Sequence, residues 1–263
     1  MVRKSQLQTA RNLTTSSPIS GVKDLMLWYE TSLESSFKTT EAMNNTEISV
    51  WYDNNKQSIA NNNATQGFSS FKPKFIENVF QGIPAIRFDG LNDSLSYNGQ
   101  FLAKINYTIF VVEQRRSSGW NFFMGGTEGL TNKNLQLGYV SPIVTETIDS
   151  NTIIAHSHYE NSINFTTTNY SFPTPKIHTF WFSKTSGKKY WLQGGNNPDK
   201  TSPTQTTELT SYNGSAVGKV FNNYYYNGDI AEIVIFARDL KDVERRDIEA
   251  YLSKKYNMGT LQI

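Results

Sequence analysis

The sequence contains no cysteine, which removes disulfide frameworks, cysteine-ligated zinc and thiol nucleophiles from consideration. Charge is sparse too: 18% of residues are Asp, Glu, Lys or Arg, and the net charge is +2. The basic residues fall in scattered pairs, Arg115-Arg116, Lys188-Lys189, Arg245-Arg246 and Lys254-Lys255. A nucleic-acid partner requires a continuous basic face interleaved with stacking rings, so none is expected. No apolar run is long enough to span a bilayer. The opening MVRKSQLQTARNLTTSSPISG has basic residues but lacks the hydrophobic segment of a signal peptide.

What is present is strand material. Of the 263 residues, 37% are hydrophobic, with 16 Phe and 14 Tyr, and Asn, Ser, Thr and Gly fill much of the remainder. That mixture suits short strands joined by hydrogen-bonding turns, with bulky rings filling a core between two sheets. In YTIFVVEQ, Tyr107, Ile109 and Val111 oppose Phe110 and Val112, the pattern of a central strand covered on both faces. GIPAIRFDGLNDSLSY reads as a hairpin, with Ile86 and Phe88 on one face, a turn at Asp89-Gly90, and alternation resuming at Leu95 and Tyr97. KIHTFWFS and KKYWLQGG flank the Gly-bearing loop KTSGK as a second hairpin. QSIANNNATQGFSSFKPKF reads as loop.

Only the ends read as helix. Leu7, Ala10 and Leu13 recur at helical spacing before Ser16-Ser17-Pro18, so residues 1–20 are expected to form a helical tether and residues 21–263 one domain. In GDIAEIVIFARDLKDVERRDIEAYLSKKYNM a strand runs into a helix. Strict alternation places Ala231, Ile233 and Ile235 on one face, with Ile230, Val234 and Phe236 on the other. Asp239 is the expected N-cap, and Leu240, Val243, Ile248, Tyr251 and Leu252 form the apolar stripe. The expected fold is all-β: an antiparallel jelly-roll sandwich closed by a C-terminal helix.

GIPAIRFDGLNDSLS, YTIFVVEQRRSS and the closing GDIAEIVIFARDLKDVERRDIEAYLSKKYN resemble, in that order, the bacterial laminin-G-like members of the concanavalin A-like jelly-roll superfamily. KSQLQTARNLTTSSPISGVKDLMLWYETSLESSF resembles the junction of prepilin-like proteins that carry such a jelly roll behind a hydrophobic pilin helix. That resemblance implies contact with a membrane only through such a helix, no hydrophobic part of which lies within Met1–Lys4.

The chemistry visible in the residues is thin. A glycosidase needs two carboxylates facing each other across a cleft, whereas Glu113, Glu128 and Glu146 stand apart and Glu232 sits singly in an apolar strand, where it is expected to serve as a structural partner for a backbone or arginine group. His156 and His158 share a strand face but lack an obvious third metal ligand. In DGLND, Asp89, Asn92 and Asp93 offer oxygen ligands, making calcium the one cofactor with a candidate place, although these are also ordinary turn residues. Trp120, Trp191 and Tyr224 lie at loop-like positions where a sugar ring could stack. The expected function is a non-enzymatic extracellular or cell-surface module, pilin-like, mediating adhesion or filament assembly through surface glycans or neighbouring subunits. A carbohydrate-binding, lectin-like domain is the alternative, followed by a glycoside hydrolase.

Overall fold

The computed structural model describes residues 17–55, 62–140, 152–167 and 172–259. The proposed tether helix at Leu7–Leu13 lies outside them. Within the described residues the chain forms two antiparallel sheets in a jelly-roll-like sandwich, with one α-helix, α1 (Asp242–Lys255), near the C-terminus. The larger sheet has the strand order Lys200–Ser202, Gly187–Leu192, Lys176–Ser183, Tyr107–Arg115, Asn227–Phe236, Ile83–Asp89, Lys74–Phe80, Thr46–Glu47. Leu25–Glu30 pairs with the second half of Asn227–Phe236, from Glu232 to Phe236. The smaller sheet runs Ser162–Thr167, Thr152–Ser157, Gln136–Val140, Asn121–Gly125, Ala216–Val217, Leu95–Ser96, Ala64–Thr65, Val50–Trp51.

The pattern read for residues 107–112 holds. Tyr107, Ile109 and Val111 join the core between the sheets, while Phe110 and Val112 join a second core beneath the helix. In the next strand the alternation breaks. Ile230 pairs with Glu113 and Glu232 with Val112, so Ala231 is the extra residue of a β-bulge. Ile230, Ile233 and Ile235 therefore face the inter-sheet core, and Ala231, Val234 and Phe236 face the helix. Ala231 and Glu232 end up on the same side.

That shift aims Glu232 at α1. Its carboxylate accepts from Lys255 Nζ at 2.7 Å, Trp28 Nε1 at 2.7 Å and the Tyr256 hydroxyl at 2.8 Å. Lys255 also reaches Glu30 at 2.9 Å. Burial by itself would lower the Lys255 pKa, but the two carboxylates outweigh it and raise the pKa above the ordinary lysine value. Glu232 is thus a structural partner, though of Lys255, Trp28 and Tyr256 side chains rather than of the backbone or arginine group expected.

Four local expectations are corrected. Asp89-Gly90 does not close a hairpin: Ile83–Asp89 lies in the larger sheet and Leu95–Ser96 in the smaller one, so the turn carries the chain across the sandwich. The helix is capped at Lys241, whose backbone N–H donates to Glu244 at 3.2 Å, while Asp239 accepts from Asn106 at 3.0 Å. Val243 is 61% exposed, and the buried stripe is Ile248, Leu252 and Tyr256 with Leu240. The segment read as loop also holds the strand Ala64–Thr65 and the start of Lys74–Phe80.

Replacing Lys255 by Met leaves two buried carboxylates without their shared cation. The expected loss is about 3–5 kcal/mol, measured by urea unfolding at pH 7. A loss below about 1 kcal/mol means that the cluster does not secure the helix.

Candidate functional site

The outer face of the smaller sheet carries a cluster of aromatic rings that includes the exposed Trp120. In Asn121–Gly125, Leu137 pairs with Met124 and Gly138 with Phe122, leaving Phe123 as an added residue. Phe123 and Met124 both enter the core, and Phe122 and Gly125 point outward. A short hairpin, Lys219–Val220 paired with Tyr224–Tyr225, lies across this outer side. A Cβ on Gly125 would stand 2.5 Å from Val220 Cβ and 2.6 Å from the Lys219 carbonyl oxygen, so only glycine admits the hairpin at this distance.

The hairpin and the loop before residue 121 bring rings together. Trp120 and Tyr224 stack with centroids 4.7 Å apart and planes at 24°. Phe122 lies beneath both, at 6.0 Å and 6.3 Å, and Trp120 remains 45% exposed. The buried amide of Asn121 positions Trp120. Its Nδ2 donates to the carbonyls of Ser117, Ser118 and Gly119 at 3.1–3.3 Å. Its Oδ1 accepts from the Asn227 N–H at 2.7 Å. The loop is wound around this one side chain, with Gly119 at φ +88° completing the turn.

Two of the three aromatics singled out in the sequence therefore meet. The third does not: Trp191 is 1% exposed, on the opposite side of the molecule, with the Arg245 guanidinium 4.1 Å from its ring centroid. It is part of the helix-facing packing, and its loop-like flank in the sequence, LQGG, begins just after the ring is already covered.

The two aspartates of the oxygen-rich loop are bonded to its own backbone, while Asn92 Oδ1 is buried without a hydrogen-bond partner among the described residues. Asp89 Oδ1 accepts the N–H groups of Leu91, Asn92 and Asp93 at 2.8, 3.1 and 3.3 Å, and Asp93 Oδ2 accepts that of Asp89 at 3.0 Å. Burial, helped by Asp89, pushes the Asp93 carboxyl up to about 7. Such turn bonds are the ordinary use of these residues, and among the described residues no group of three His, Asp or Glu side chains is placed to hold a metal ion.

The histidines are interior. His158 Nδ1–H donates to the Thr207 carbonyl at 2.8 Å, which leaves its Nε2 to accept the Tyr107 hydroxyl at 2.6 Å. The Tyr107 oxygen then accepts from His156 Nε2–H at 2.7 Å. His178 Nε2–H donates to Glu113 at 2.8 Å and its Nδ1 accepts from the Tyr190 hydroxyl at 2.9 Å. Glu113 also accepts from Tyr139 at 2.6 Å and from Tyr226. These groups lie between the sheets, where Glu113 is the carboxylate bonded to His178, Tyr139 and Tyr226. Glu128 stands apart at the surface, accepting from Asn213 at 2.6 Å, and Glu146 lies outside the described residues.

Burial lowers the pKa of all three histidines, so the folded chain holds them neutral while the unfolded chain protonates them below about pH 6.5. The unfolded state then binds more protons, and stability falls as pH drops through that value, by up to about 1.4 kcal/mol per pH unit for each histidine. Lys188, pushed down to about 7 by burial, adds the same sign near neutrality. Asp93 opposes it with one proton. Urea midpoints are expected to fall between pH 7 and 5.5, and more steeply in Asp93→Asn; a flat profile would show that the imidazoles are not buried neutral. Separately, Asn121→Ala strands three carbonyls and is expected to cost about 1–3 kcal/mol, with quenching by acrylamide showing a more accessible Trp120.

No family model matches the sequence, and no curated protein matches it significantly. Solved structures share its fold. Domain 4 of AbnA, a GH43 extracellular arabinanase from Geobacillus stearothermophilus solved with arabinotriose, is similar with a TM-score of 0.58 at 11% identity, over 86% of this chain and 98% of that one. The Trypanosoma rangeli sialidase in complex with sialic acid gives 0.59 at 12% identity, over 96% of this chain but only 38% of the sialidase. A GH54 α-L-arabinofuranosidase gives 0.56 at 11% identity, over 80% of this chain and 51% of that one. The expectation of a non-enzymatic module is overturned by these similarities, because the fold is one that glycoside hydrolases and sialidases carry. The sandwich itself is the fold they share.

Proposed function

We propose that this chain is a carbohydrate-binding domain with the architecture of those found within carbohydrate-active enzymes, and that a sugar ring stacks on the Trp120–Tyr224 platform. The observation that carries the reading is the exposed Trp120 ring, held against Tyr224 by a hairpin seated on Gly125 and by a loop wound around Asn121. The axial C–H groups of a sugar face an aromatic plane well, and a rigid platform spares the entropy of ordering the rings on binding. The exposed Asn222 and Asn223 at the hairpin turn supply amide donors and acceptors for hydroxyl groups. The arabinotriose complex of the similar arabinanase domain supports a glycan as the ligand class. An extracellular or cell-surface setting belongs to the same proposal, in keeping with that enzyme's description as extracellular. Adhesion is this chemistry displayed on a surface.

Isothermal titration with arabinan, xylan and sialyllactose tests the reading. Trp120→Ala and Tyr224→Ala are each expected to weaken the productive ligand by about 10-fold or more, with melting temperatures within a few degrees of the parent. Unchanged binding in both variants would place the ligand elsewhere.

A further inference from the structure

The platform does not stop at Tyr224. The Phe221 ring lies 6.5 Å from that of Tyr224, and the Tyr159 ring 5.9 Å from that of Phe221, edge to face at 88°. Trp120, Tyr224, Phe221 and Tyr159 thus form a row of successive neighbours, the first pair face to face and each later ring turned from the one before it by 64° and 88°. All of these side chains are at least partly exposed.

The backbone beneath the second half of the row is unusual. Phe221 has φ +53°, and Tyr159 and Glu160 have φ +49° and +67°. Glycine and asparagine occupy this left-handed region without strain, whereas bulky side chains resist it. Asparagines are present in both turns, at Asn161 and at Asn222-Asn223, yet the strained positions hold aromatic rings that touch one another. Strain of this kind is retained where the placement of a side chain is itself used.

We propose that Phe221 and Tyr159 form a second stacking subsite continuous with Trp120–Tyr224, so that the ligand is a linear, uncharged oligosaccharide lying along the row. This rests on the carbohydrate-binding reading above. The exposed carboxylate of Glu160, next to Tyr159 and bonded to Thr131, disfavours an acidic sugar at this end of the row, and the amides of Asn222 and Asn223 suit hydroxyl groups.

The test is titration of the full chain with arabino-, xylo- and manno-oligosaccharides from mono- to pentasaccharide, with oligogalacturonates as the acidic counterpart. Affinity for the preferred neutral series is expected to rise about 5- to 10-fold when the chain becomes long enough to reach Phe221. Phe221→Asn and Tyr159→Asn are expected to abolish that rise, leave monosaccharide affinity unchanged, and keep or raise the melting temperature by relieving the backbone. Phe221→Tyr, which retains a ring, is expected to keep the length dependence. Affinity that depends on Trp120 but not on chain length would overturn the second subsite while leaving the carbohydrate reading intact. Absence of binding by any of the sugars would overturn both. Tighter binding of oligogalacturonates than of neutral chains would overturn the uncharged assignment.

Discussion

The closure of this sandwich depends on one ammonium group shared between two carboxylates. Lys255, at the end of α1, holds Glu232 of the strand that both flanks of the larger sheet use, and Glu30 of the strand laid beside it. Removed from water, neither carboxylate is tolerable without the cation. The helix is therefore fixed at its C-terminal end by electrostatics and along its length by Ile248, Leu252 and Tyr256. Covering the outer face of the larger sheet in this way leaves the outer face of the smaller sheet as the place where rings can remain exposed.

That division explains the fate of the aromatic residues. Trp191 and Trp120 both read as loop-flanking in the sequence, Trp120 directly after Gly119 and Trp191 shortly before Gly194-Gly195. The strands they belong to or adjoin lie in different sheets, and among the described residues only the larger sheet has an α-helix packed over it. Trp191 is consequently covered by Arg245, while Trp120 stacks in the open with Tyr224. Which face a ring occupies follows from sheet membership, which is long-range information that local pattern does not contain.

Much of the fold was legible for the opposite reason. Period-two alternation from Tyr107 to Val112 and the terminal strand-then-helix segment are local, and burial on both faces needs no knowledge of the partner. Alternation misled where an extra residue was inserted, at Ala231, since a bulge moves every later side chain to the other face without changing composition. Asp89-Gly90 has the chemistry of a turn and makes one, but a turn does not specify whether the strand after it rejoins the same sheet. In the candidate site Trp120 and Tyr224 were readable as loop-flanking rings. Phe221 and Tyr159 were missed, because a positive φ at an aromatic residue runs against the preference of the residue itself, and the only hint was the neighbouring asparagines.

The placement of the Lys255 clamp also determines how the domain carries tension. Leu25 pairs with Phe236, and Glu30 with Glu232; without the helix, a pull on the two chain ends would enter at the same end of this ladder and open its hydrogen bonds one after another. With Lys255 bound at the Glu30–Glu232 end, the load leaves the ladder at the end opposite the one where it enters. The strands are then dragged past each other and their backbone bonds, lying across the strands, share the force. A single buried cation thereby turns a geometry that unzips into one that shears, the more resistant of the two.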